Sequence, residues 1–177
     1  MATNIMKSYE NHGIVELSKI KATQCGHIYS LRAPQDIDNG SMVAIGEYEK
    51  GDVWKAAVPK KTDKVALVTT SVVIYEDYTK KCQEEGRFYN AKDDVMRCHE
   101  IVDTDEYAIS AEAFAEGADP KKGAYVVVDG TGFKPTTVTD APDKTEYGFI
   151  GQIFDIATNG RYRISVKQKL SRSPTYK

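Results

Sequence analysis

The chain reads as a mainly β single domain, a barrel or sandwich of about 9 to 11 short strands with one or two short helical turns. Three observations point there. Apolar residues recur mostly at spacing two, in short runs bounded by Gly, Pro, Asn and Asp, which puts them on one face of a pleated strand. Helical periodicity is thin throughout. Two stretches, "DNGSMVAIGEYEKGDVW" and "KKGAYVVVDGTGF", share one pattern. Each has a polar pair, a glycine, apolar residues three and five positions later (Val43 and Ile45 after Gly40, Val126 and Val128 after Gly123), a Gly-containing turn and an aromatic (Trp54, Phe133). That pattern suggests two pseudo-equivalent hairpins.

In chain order, strands are expected in "GIVELSKI" from Gly13, "GHIYSLRA" from Gly26, "SMVAIGEY" from Ser41 and "DVWKAAV" from Asp52. In "KVALVTTSVVIYED" both alternating sets are apolar, so this segment should be covered on both faces, as a central strand is. In "VMRCHEIV", Cys98 shares a face with Met96 and Val102, while His99 falls with Val95, Arg97 and Ile101; the cysteine is expected inward and the histidine outward. "YAIS" from Tyr107, "AYVVVDG" from Ala124 and "FIGQIFDIA" from Phe149 follow. The clearest strand is "RYRISVKQKL", with Tyr162, Ile164, Val166 and Leu170 on one face and Arg161, Arg163, Ser165, Lys167 and Lys169 on the other. "SAEAFAEG" is the one helical candidate, capped by Ser110 and ended by Gly117.

These elements divide the chain into an N-terminal arm (1–12), a β domain (13–170) and a C-terminal tail (171–177). The linkers are "PKKTD", "TKKCQEEGRFYNAKDD" and "TVTDAPDKTEYG", and none is long enough to argue for two domains. A chain of 177 residues with 41% apolar and 28% charged residues has the composition of a globular protein with a real core. No apolar run approaches the roughly 18 residues of a membrane span, and "MATNIMKSYENHG" lacks a secretory apolar segment. The three cysteines are an odd number without framework spacing, which fits thiols in a reducing cytoplasm. Arg161, Arg163, Lys167, Lys169, Arg172 and Lys177 give the C-terminal end six basic residues and no acid, against a net charge of −2 for the whole. An acidic body with a basic end favours an oppositely charged partner or self-association.

Candidate chemistry is sparse. Cys25 and His27, two apart, point to the same strand face and suit one zinc ion as thiolate and imidazole, but Cys98 and His99 are adjacent and point apart. Without CxxC or HxxxH spacing no metal or other cofactor is expected. Cys82 follows Lys80 and Lys81, and neighbouring positive charge lowers a thiol's pKa; it is the one thiol worth testing for reactivity. The acids Asp93, Asp94, Asp103, Asp105 and Glu106 read as solvated loop charge. "DGTGF" lacks a phosphate-loop signature and reads as a hairpin turn. The acidic body argues against a nucleic-acid binder, although Arg161, Tyr162, Arg163 and Tyr176 combine base and ring.

The order "DIDNGSMVAIGEYEKGDVWKAAVP", "DKVALVTTSVVIYEDY", "GRFYNAKDDVMRCHEIVDTDEYAISAEAF" and "KKGAYVVVDGTGFKP" resembles small auxiliary head proteins encoded near the major capsid protein in tailed phages of Gram-positive bacteria. The likeness rests on Asp38-Asn39-Gly40 before a strand, "YEDY" (Tyr75 to Tyr78), "FYN" (Phe88 to Asn90) and the "YAISAEAF" step, and spans residues 36 to 135. It implies a non-enzymatic virion protein, a capsid decoration or head-stabilising protein assembled in the host cytoplasm. The implied partners are the major capsid protein and further copies of the chain, a trimer suiting shell decoration; no membrane or direct nucleic-acid contact is implied. Tyr9, Ile14, Arg161, Arg163, Lys167 and Lys169, on the two ends, are the expected partner contacts. The alternatives are a head–tail joining or tail structural protein, and a small β-barrel ligand-binding module or enzyme using Cys25 and His27.

Overall fold

The alternation resolves into eleven strands in a computed structural model that describes residues 10–22, 27–72 and 84–169. They are β1 (Val15–Lys19), β2 (Ile28–Arg32), β3 (Met42–Lys50), β4 (Val53–Ala57), β5 (Val65–Val68), β6 (Val95–Glu100), β7 (Glu106–Ile109), β8 (Tyr125–Val127), β9 (Thr136–Val138), β10 (Phe149–Ile156) and β11 (Tyr162–Lys169). Two 3-10 turns, Glu85–Arg87 and Ala111–Ala113, are the helical pieces named among the described residues. Strands β2 to β6 close a five-stranded barrel in the order β2-β4-β3-β5-β6, and β1-β7-β11-β10-β8-β9 form an open sheet.

The likeness of two hairpins extends to two whole units. Around the barrel the neighbours run β4-β3-β5-β6-β2; along the sheet they run β9-β8-β10-β11-β7, and every pairing in both series is antiparallel. The registers agree as well. Val43 faces Ala66 as Val126 faces Gly151, and Tyr29 faces Cys98 as Tyr107 faces Ile164. Backbone hydrogen bonds repeat with them. The Gly40 N–H donates to Val68 O and the Val68 N–H to Ser41 O, while the Gly123 N–H donates to Ile153 O and the Ile153 N–H to Ala124 O. Both glycines sit at positive φ, 83° and 92°, a region costly for a residue with a Cβ. The shared glycine in the sequence is thus a shared left-handed turn.

The units differ at one seam. Strand β2 closes the barrel by a parallel pairing with β4, Ser30 against Val53 and Arg32 against Lys55. The equivalent edge of β7 is taken by β1, antiparallel, with Val15 opposite Ile109 and Leu17 opposite Tyr107. The second unit therefore stays open.

One strand explains how the units are joined. Ala66 and Val68 of β5 face the barrel interior with Leu31, Val43, Met96 and Cys98. Val65 and Leu67 on its other face join Met42, Ile109, Val126, Ile153 and Ile164 in the second core. The double-sided apolar reading of "KVALV" holds, and all four β5 residues are buried; residues 69–72 have left the strand, and 73–83 lie outside the described residues.

Four expectations need correction. His99 does point away from Cys98, and Val95 and Arg97 on its face are exposed, but His99 itself is 2% exposed, because at this end of β6 the outside of the barrel is the inside of the molecule. Asp105 is fully buried, not solvated: its carboxylate accepts hydrogen bonds from the Lys21 and Val102 amides. Ser110 does not cap its turn; its Oγ accepts from the Ile14 amide instead. Strand β9 lies partly in a stretch read as linker, since three residues rich in threonine carry too short an alternation to stand out.

Candidate functional site

The turn that leads into β3 and the loop between β8 and β9 bring two distant segments together, and residues 10–12 close over them. Asp38, which precedes the left-handed glycine, accepts a 2.7 Å hydrogen bond from His12 Nδ1 on one oxygen and a 2.8 Å ion pair from Lys134 Nζ on the other. Lys134 Nζ also donates to the Glu112 carbonyl at 2.7 Å. His12 lies against the Tyr89 ring with centroids 4.9 Å apart. Burial pushes the Asp38 carboxyl up, but the hydrogen bonds from His12 and Lys134, with the charge of Lys134, more than offset this and hold it below its ordinary value. The three side chains clasp the N-terminal segment, the first unit and the second unit to one another.

Beside the clasp opens a cleft of about 460 Å³, walled by residues 10–12, 35–38, Ser41, 115–116 and 131–134. This lies within the size range of small-ligand sites. Its acids outnumber its bases: Glu10, Asp36, Asp38 and Glu116 against Lys134 and His12. Ser41 in its wall is 1% exposed, and its Oγ has no hydrogen-bond partner among the described residues.

A second polar cluster sits at one end of the barrel. Glu100, 2% exposed, accepts from Lys64 Nζ at 2.5 Å, from His27 Nδ1 at 2.9 Å and from the Tyr29 hydroxyl at 3.4 Å. The registers that align the two units put Val166, Phe149 and Tyr107 at the positions of Glu100, Lys64 and Tyr29, all three buried. The barrel carries charge where its twin is apolar.

The expected partner contacts are dispersed. Ile14 is half-buried; its amide donates to Ser110 Oγ and its carbonyl accepts from the Ser110 N–H. Arg161 is committed internally, pairing with Glu16 and, at 3.2 Å, with Glu85, so it ties β1 and the 3-10 turn to β11. Arg163 lies 5.1 Å from the Phe154 ring centroid and 3.8 Å from Asp155. Lys167 is exposed. Tyr9, Cys25, Cys82, "YEDY" and the side chain of Lys169 lie outside the described residues. Among those residues no group of three His, Cys, Asp or Glu is placed to hold a metal ion, and no helix is long and apolar enough to cross a membrane. Cys98 is a free thiol inside the barrel, its pKa raised by burial.

Sequence reasoning missed the clasp and the cleft because their parts lie far apart in the chain and none carries a motif. The one local signal was "DIDNG", where two carboxylates precede a left-handed turn. No family model, curated protein or solved structure matches the chain.

Proposed function

We propose that the chain is a non-enzymatic virion structural protein that decorates and stabilises a phage capsid, with the major capsid protein as its partner. The observation that carries this reading is the order of segments over residues 36 to 135, which resembles auxiliary head proteins of tailed phages. The architecture supports it. Two copies of one β-unit are joined through β5, whose two faces serve two cores, and the buried carboxylates Asp105 and Glu100 and the half-buried Asp38 are all held in internal bonds that brace the body. Such a body can attach to a preformed lattice by strand addition, in which main-chain hydrogen bonds give affinity. Strand β1 stands at the outer edge of the open sheet and follows the N-terminal arm in sequence, which supports attachment at this edge. Repeated contacts over a shell add avidity when several copies assemble, and binding only the assembled form stabilises it by mass action.

The test first asks whether a gene beside this chain's encodes a major capsid protein, whose absence would count against the proposal, and then uses capsids assembled from that protein. Purified protein should bind them saturably and raise the temperature at which they lose their contents; failure to bind any capsid form overturns the proposal. A variant lacking residues 1–9, which leaves His12 in place, should bind more weakly, and unchanged affinity would refute attachment through that end. The number of copies per particle and the mass of the free protein report whether it assembles as a trimer.

A further inference from the structure

Ser41 is an anomaly with an internal control. The hydroxyl is buried without a partner, a costly arrangement. Its equivalent in the second unit, Ala124, makes the same backbone bonds: both carbonyls accept from the facing strand, and both amides donate to the residue three positions back. The turn therefore needs no hydroxyl at this position. What distinguishes Ser41 is its place in the wall of the cleft, whereas Ala124 lies in the second core.

The remainder of the cleft indicates what the hydroxyl would meet. Lys134 is spent on Asp38, while Glu10 and Glu116 are exposed on the cleft and form no ion pair among the described residues. The side-chain amide of Gln35, also exposed, adds a further acceptor. Carboxylates and a hydroxyl acceptor, with the one lysine among the described residues of the wall already paired, suit a donor-rich cation and repel an anion. A guanidinium or ammonium has no acceptor of its own and satisfies only acceptors.

We propose that this cleft receives a basic side chain, arginine or lysine, from a partner polypeptide, with Glu10 and Glu116 drawing the charge in and Ser41 Oγ accepting a hydrogen bond from its end. A loop carrying such a residue would thereby be pinned at the junction of the two units. The inference does not depend on the proposed capsid role, since it concerns the ligand chemistry of one cleft and is read without capsids.

The test is titration of the full chain with capped glycine-flanked peptides whose central residue is arginine, lysine or the uncharged arginine analogue citrulline, followed by amide chemical shifts. The arginine and lysine peptides should shift Gln35, Ser41 and Thr131 saturably. Citrulline should bind at least about threefold more weakly, the loss of a charge-assisted contact to exposed carboxylates. Glu10→Gln with Glu116→Gln should weaken binding comparably, and Ser41→Ala should weaken it without lowering the unfolding midpoint. Equal binding of citrulline, shifts centred away from the cleft, or no saturation at millimolar peptide would overturn the proposal. Because both glutamates are exposed and Ala already occupies the twin of Ser41, loss of binding in these variants is not a folding defect, and an unchanged amide spectrum checks that.

Discussion

Asp38 shows how one side chain acquires a meaning its neighbours in sequence do not give it. As part of "DIDNG" it reads as a turn former, yet the fold sets it between His12 and Lys134. Asp38→Asn keeps the turn but loses the charge partner of Lys134, and should lower stability by about 1–2 kcal/mol, measured by urea unfolding; the half-exposed lysine limits the effect. His99 gives a pH signature. Burial and the nearby Arg97 lower its pKa, its Nδ1 sits 2.5 Å from the Thr69 hydroxyl, and its Nε2 has no partner among the described residues. Above the ordinary histidine value of about 6.5 the ring is neutral folded and unfolded alike. Below it the unfolded chain takes the proton first, so stability falls with pH until the lowered folded value is passed. The unfolding midpoint should drop as the pH falls below about 6.5, and the drop should shrink in His99→Gln. The strand periodicity correctly separated Cys98 from His99; it had no means of knowing that the His99 side of β6, exposed at Val95 and Arg97, is covered at His99, because a second layer leaves no mark on the period of the first.

At the level of the element, legibility followed the length of the alternation. Strand β11 was readable because apolar and basic residues alternate over most of its eight positions and the fold buries Ile164 and Val166. Strand β9, three threonine-rich residues long, exists because β8 offers it an edge. The paired glycines make a quantitative contrast. A Cβ at Gly40 would meet Ala113 Cβ at 2.9 Å and Ile109 Cγ2 at 3.0 Å, while one at Gly123 meets nothing within 4 Å. Gly123→Ala should therefore cost about 1 kcal/mol, the left-handed backbone alone. Gly40→Ala adds overpacking to that and should cost about 2–4 kcal/mol. Similar losses for the two variants would mean that the turns are not packed as described. Ser110 teaches the converse. It is a good cap by residue type, but its hydroxyl was claimed by the Ile14 amide, so tertiary pairing outbid the local turn.

For the whole molecule, the sharing of β5 has a thermodynamic consequence. Val65 and Leu67 lie in the core of the second unit while Ala66 and Val68 lie in that of the first, so neither unit can open without stripping apolar surface from the other. The chain should unfold in one transition, with fluorescence of Trp54, on the barrel's β4, coinciding with the far-ultraviolet signal of all strands; a separated Trp54 transition would show two independent units. The sequence by itself determined the β class, most strands, the burial of Cys98 and the echo between the segments at Gly40 and Gly123, since alternation and glycine turns are local and leave their period in the chain. Only the tertiary structure decided that the echo is a duplicated five-strand unit, that one copy closes and the other gives its edge to β1, and that His12, Asp38 and Lys134 meet beside an acidic cleft. Those outcomes depend on contacts between residues tens of positions apart, where strand order and packing, not local propensity, select the neighbours.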